Sequence, residues 1–167
     1  MIRVTILGCG SSGGVPRIGG NWGACDPSDP KNRRRRCAIL IDRIEGCAMT
    51  RVLVDTGPDL VPQMLDAGVS TLDAVVWTHS HADHAHGIDD LRQMAYNAHA
   101  RVQGYADAET SASLRDRFGY VFETAPGSNY PPICDLHLLD GPITIEGAGG
   151  PIEIIPFTVP HGEINAL

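Results

Sequence analysis

DAVVWTHSHADHAHG, residues 73–87, runs from an unbroken apolar stretch straight into His79, His81, Asp83 and His84, with His86 just beyond. An apolar run without alternation reads as a strand buried on both faces. The polar cluster therefore closes a buried strand, which scattered surface histidines would not do. Imidazole is a favoured ligand of zinc-like ions, and two histidines separated by one residue in extended chain can turn onto a single ion, leaving Asp83 and His84 to project elsewhere. Chance occurrence of H-x-H-x-D-H at this composition is on the order of one in a thousand. One such loop could hold two ions about 3.5–4 Å apart, an arrangement that activates water and clamps a phosphodiester.

Outward from that stretch, the chain reads as mixed β and α. IRVTIL (2–7) alternates apolar and polar residues as a half-buried strand does, and the glycine- and proline-rich GCGSSGGVPRIGG then forbids regular structure as far as about Arg36. CAILID and RVLVDT read as neighbouring antiparallel strands separated by a turn-like RIEGCAMT. Leu60, Met64 and Leu65 have helical spacing, with Gly68 as the stop. Residues 88–99 repeat the pattern through Leu91, Met94 and Ala95, with Asp89 and Asp90 in the first turn. A strand near VQGY, a helix near ASLRDRF and short strands LHLL, ITIE and IEIIPF follow.

Length and composition set bounds on function. The 167 residues, 43% hydrophobic and 20% charged, make one ordinary globular domain over 1–167 that needs no staples. The opening MIRVTILGCG lacks a signal h-region and cleavage site, and nowhere is there a membrane-length apolar run, so a cytoplasmic protein without a membrane partner is expected. Five cysteines, odd in number and without a CxxC pair, argue against a disulfide framework and a zinc ribbon. The net charge of −7 disfavours a stable nucleic-acid partner. Arg33 to Arg36 form one basic run, which reads as a solvated loop or a local anion contact.

H-x-H-x-D-H after a buried strand resembles the hallmark motif of the metallo-β-lactamase superfamily. The resemblance implies an α/β (α+β) fold, an αββα sandwich of two mixed β-sheets flanked by helices. By the same resemblance Asp55, in LVDTG, orients the metal loop, where the residues alone allow a turn-forming aspartate beside Gly57. His161, in FTVPHGE, would be the third histidine of the first metal, where the residues alone allow a lone loop histidine. His79, His81 and His161 would then bind one divalent ion, and Asp83 and His84 a second. A bridging aspartate, a final histidine and a general acid are expected beyond Leu167, with the second half of the sandwich.

Within the superfamily, LGCGSSGGVPRIGG, DPSDPKNRRRRCAIL and HADHAHGIDDLR resemble the branch typified by phosphoribosyl 1,2-cyclic phosphate phosphodiesterase. Of the C-x-C-x-x-C cluster that holds a structural zinc in that branch, this chain keeps only Cys25. The expected function is metal-dependent hydrolysis of a small cyclic or nucleotide-like phosphodiester by a metal-bound hydroxide. The expected cofactors are two divalent ions, zinc first, with manganese or iron compatible with a mixed imidazole and carboxylate set; a homodimer is compatible with these features. The alternatives are a nuclease of the transfer-RNA 3′-processing type and a metal- or nucleotide-binding module without turnover. GCGSSGG lacks a P-loop signature and reads equally as an anion-binding or a plain loop, His86 as a metal-supporting, substrate-facing or helix-capping residue, and Asp89 with Arg92 as a surface pair.

Overall fold

A computed structural model describes residues 1–167. Its centre is a six-stranded mixed sheet of β1 (Ile2–Gly8), β2 (Ala38–Glu45), β3 (Ala48–Val54), β4 (Ala74–Val76), β5 (Val102–Ala106) and β6 (Cys134–Leu138), in that spatial order. The first three strands pair antiparallel and the last four parallel. Helices α1 (Leu60–Ala67), the single turn α2 (Ala82–Ala85), α3 (Leu91–Ala98) and α4 (Ala108–Phe122) fill the crossovers. Two hairpins follow, β7 (Ile143–Ile145) with β8 (Ile152–Ile154) and β9 (Val159–His161) with β10 (Ile164–Ala166). No helix is long and apolar enough to cross a membrane.

Period-two alternation splits the sheet into two faces. Leu40, Leu53 and Val75 face the helices and join Trp77, Leu60, Ile88, Leu91 and Leu114 in the larger core. Val52, Ala74 and Val76 face the other way, onto Leu139, Ile145 and Ile152. Hairpin β7–β8 thus stands where a second sheet was expected, and β9–β10 forms a separate two-stranded hairpin.

Two local expectations are corrected. RIEGCAMT is mostly strand, because Ile44 and Met49 pair across β2 and β3 and the turn is only Gly46 and Cys47, with Gly46 at φ 60°. Strand β1 is also less buried than its alternation implies. Val4, Ile41, Val52 and Ala74 are successive cross-strand partners and share one face, but β7–β8 covers only its middle, leaving Ile2, Val4 and Ile6 more than half exposed at the sheet edge.

One buried charge cluster crosses the antiparallel part of the sheet. Asp42 is fully buried and accepts from Arg3 Nη2 at 2.6 Å and Arg51 Nε at 2.7 Å. Burial alone would raise its pKa, but hydrogen bonds and charge from Arg51 and Arg3 outweigh it and hold the carboxyl below 3.8. A carboxylate so depressed contributes stability above its unfolded pKa and loses it as pH falls through the lower folded value. Asp42→Asn should therefore be less stable than the parent by about 3 kcal/mol at pH 7, with the gap closing below pH 3.8. Urea denaturation across pH checks this; a gap independent of pH would mean the charge is not what matters.

Candidate metal centre

Binding groups in open α/β sheets gather at the carboxyl ends of parallel strands. Here Asp55 directly follows β3, and Thr78 and His79 follow β4 after Trp77. Asp55 has a positive φ of 67°, unusual for a residue other than glycine, which aims its carboxylate across to the neighbouring strand's loop. Gly57 lies so close to the Asp83 carbonyl, and Gly87 to the Gly57 carbonyl, that a Cβ at either would collide with backbone. Thr56 N–H donates to the His84 carbonyl and Gly87 N–H to the Thr56 carbonyl, both at 2.8 Å, lacing the two loops together. Trp77 Nε1 donates to Thr56 Oγ1 at 2.8 Å from beneath.

The ligand loop is extended to His81 and then makes the single turn α2, which carries Asp83 and His84. His79, His81 and His161 converge so that one ring nitrogen of each lies within 4.8 Å of the others. The His79 ring lies 4.7 Å from those of His81 and His161, centroid to centroid, and 4.1 Å from that of His84. His161 reaches the group from β9, whose partner β10 is tied down where Leu167 N–H donates to the Thr78 carbonyl at 2.9 Å. The Arg117 guanidinium donates to the Ser80 carbonyl, fixing the backbone between the first two histidines.

The hydrogen bonds assign the tautomers. Asp55 Oδ1 accepts the Thr78 N–H at 2.8 Å, and Oδ2 accepts the Thr78 hydroxyl at 2.8 Å and His84 Nδ1–H at 2.7 Å. Its proton given to Asp55, the Thr78 hydroxyl accepts from His79 Nδ1–H at 2.9 Å. One carboxylate thereby holds both His79 and His84 with Nδ1 protonated and Nε2 carrying the lone pair. His79 Nε2 is buried and has no hydrogen-bond partner. A buried orphan nitrogen is costly unless something else satisfies it, and two more imidazoles beside it make a divalent cation the fitting group. Burial, then the neighbouring His84, pushes the His79 pKa down to about 4, so its imidazole is neutral near pH 7. Burial pulls the His84 pKa down too, but the Asp55 hydrogen bond and charge outweigh it and raise the pKa.

All six expected site residues meet in this region. His79, His81 and His161 form the converging group, Asp83 stands 3.4 Å from His84 Nε2 beside it, and Asp55 lies behind, touching Thr78 and His84. His86 ends α2 and sets its ring edge-on to Phe118. Thr78 went unread in the sequence. Its only signal was a hydroxyl residue directly before the first histidine.

Comparison with known proteins agrees with this geometry. The crystal structure of a new diphosphatase from the PhnP family superimposes with a TM-score of 0.81 at 35% identity, covering 99% of this chain and 60% of that one. Zn(2+)-bound PqqB from Methylobacterium extorquens gives 0.66 at 22% identity, over 96% of this chain and 52% of that one. An octanoyltransferase of Porphyromonas gingivalis is 35% identical over 166 residues, which are 99% of this chain and 32% of that protein. The chain thus spans about 60% of the diphosphatase and about a third of the octanoyltransferase. Residues 50–166 match the family model of the beta-lactamase superfamily domain; with its histidine cluster at the ends of β4 and β9, the chain belongs to the metallo-β-lactamase superfamily, whose fold binds divalent metal.

Proposed function

We propose that the protein is a divalent-metal-dependent hydrolase of a small phosphodiester, cyclic or nucleotide-like. The observation that carries the reading is the convergence of His79, His81 and His161 around an orphan buried nitrogen. His79, His81 and His161 would hold one ion and Asp83 with His84 a second, zinc suiting the imidazoles best. Bound metal would supply Lewis-acid stabilisation of phosphoryl oxygens and a water acidic enough to attack near neutral pH. Asp55 and Thr78 hold His79 and His84 by their Nδ1–H groups, so that the Nε2 atoms are the ones aimed at the ion. Likeness to the PhnP-family diphosphatase supports phosphorus–oxygen cleavage. The octanoyltransferase name describes a protein of which the match covers 32%, and it brings no substrate to this site.

Small size of the substrate is supported by what the basic run does. Arg35 pairs with Asp66 at 2.7 Å, Arg36 with Asp59 at 3.0 Å, and Arg33 lies over the Trp22 ring. Those arginines are drawn into internal partners and form no arm for gripping a polyanion, which needs many Lys and Arg contacts. The full-length protein loaded with zinc or manganese is expected to hydrolyse bis(p-nitrophenyl) phosphate, to stop with chelator and to resume with metal. A loaded protein without turnover would make it a binding module. Preference for a precursor transfer RNA, with kcat/KM falling steeply with salt, would make it a nuclease.

A further inference from the structure

Neither His79 nor Ser80 makes a hydrogen bond from its backbone to another backbone group. The stretch that carries the first two histidines therefore lies outside the ladders that hold the sheet, and its path must be fixed by something else. Helix α4 supplies it. Asp107 caps that helix by accepting the Thr110 N–H at 2.7 Å, and the fully buried Leu114 and Val121 root it in the larger core. From this base the Arg117 guanidinium donates to the Ser80 carbonyl, between His79 and His81. Its Nε donates to the Ser113 carbonyl at 3.3 Å and its Cζ lies 5.4 Å from the Phe118 ring centroid, so the side chain is held by its own helix. The helix is interrupted at the next residue, Phe118 (φ −130°, ψ 33°), whose ring receives His86 edge-on at 5.6 Å. Two consecutive residues of α4 thus touch the ligand loop, one before Asp83 and His84 and one after.

The charge of Arg117 makes the first contact informative. A guanidinium bonded to the carbonyl between two ligand histidines raises the potential where a divalent cation would bind, and like charge alone would weaken that binding. Both of its acceptors are neutral carbonyls, so no bonded carboxylate offsets it.

We infer that Arg117 is a positioning residue of the metal centre: by holding the Ser80 carbonyl it sets the bite with which His79 and His81 reach one ion, and the gain in ligand geometry exceeds the electrostatic cost. Arg117 acts through the loop and not on the ion. The role rests on the metal-centre reading and is independent of which substrate is cleaved.

The test is metal affinity in the full-length protein, where the two effects of Arg117 have opposite signs. Arg117→Met keeps an unbranched apolar stem and removes charge and donors. It should bind cobalt(II) and zinc about tenfold or more weakly, as removal of a partner behind a ligand does. Removing a neighbour that acted only through its charge would instead tighten binding. Arg117→Lys keeps the charge and an N–H donor, and it should recover part of the affinity. At saturating cobalt the visible absorption bands of Arg117→Met should differ from the parent's, because the histidines meet the ion at altered angles, and Arg117→Lys should move them back. The metal-free proteins should unfold at one urea concentration, since Arg117 is exposed. Equal or tighter cobalt binding in Arg117→Met overturns the inference. So does weaker binding that lysine fails to recover and that a matching loss of metal-free stability explains. A parent that binds no cobalt overturns the metal-centre reading, and the role of Arg117 with it.

Discussion

Replacing His81 by alanine is expected to strip the protein of most of its divalent metal and to lower kcat/KM on bis(p-nitrophenyl) phosphate by about a thousandfold or more. The magnitude follows from what a correctly held ion contributes, several kcal/mol of charge stabilisation, each 1.36 kcal/mol being about tenfold in rate. Loss should fall on metal and rate, with the fold spared. His81 is exposed at the start of α2 and makes no hydrogen bond into the core, so the metal-free variant should unfold at the urea concentration that unfolds the metal-free parent. His84→Ala should also lose metal, but with some loss of stability, because it leaves the buried Asp55 carboxylate short of a donor. Elemental analysis of chelator-free preparations reads the result directly. Full metal content in both variants would overturn the ligand assignment.

How far this site could be read from the chain depends on sequence distance. His79, His81, Asp83 and His84 were legible because one strand and one helical turn hold them, and local spacing carries that geometry. His161 lies about eighty residues on, in a three-residue strand of exposed residues, and only family resemblance pointed to it. Thr78 was missed because a threonine in a strand-end segment has ordinary uses, and its role appears only when β3 and β4 lie side by side and Asp55 comes within 2.8 Å. The run Arg33–Arg36 was legible only in part for the same reason: Arg33 and Arg34 are exposed, as a solvated loop implies, while Arg35 and Arg36 find carboxylate partners. Like charges in sequence read as a solvated loop, yet the partners Asp59 and Asp66 sit on and just before α1. Strand β1 shows the converse limit. Alternation told which residues share a face, while exposure of Ile2, Val4 and Ile6 was set by how far hairpin β7–β8 reaches across the sheet.

Asp55 separates two explanations, the orienting group that the family resemblance implies and the turn former that the residues alone allow. As a turn former its value is its backbone, and at φ 67° glycine or asparagine would serve as well or better, glycine relieving about 1 kcal/mol of strain. As the orienting group its value is two acceptor oxygens, which take the Thr78 N–H, the Thr78 hydroxyl and His84 Nδ1–H together. Asparagine offers one oxygen and a donor NH2, so either Thr78 N–H or His84 Nδ1–H must then face another donor. The cheapest escape for His84 is to move its proton to Nε2, which spoils the nitrogen that would face a metal. A reversed Thr78 hydroxyl would do the same to His79. Asp55→Asn and Asp55→Gly are therefore both expected to weaken metal binding by about 10- to 100-fold, the usual effect of removing a partner behind a ligand. Asp55→Gly should show this despite its easier backbone. In nitrogen-15 spectra of the parent, His79 and His84 should appear as Nδ1–H tautomers, and in Asp55→Asn at least one should shift toward Nε2–H. Unchanged metal affinity in Asp55→Gly would reduce Asp55 to a turn residue and leave the two histidines without a common orienting group.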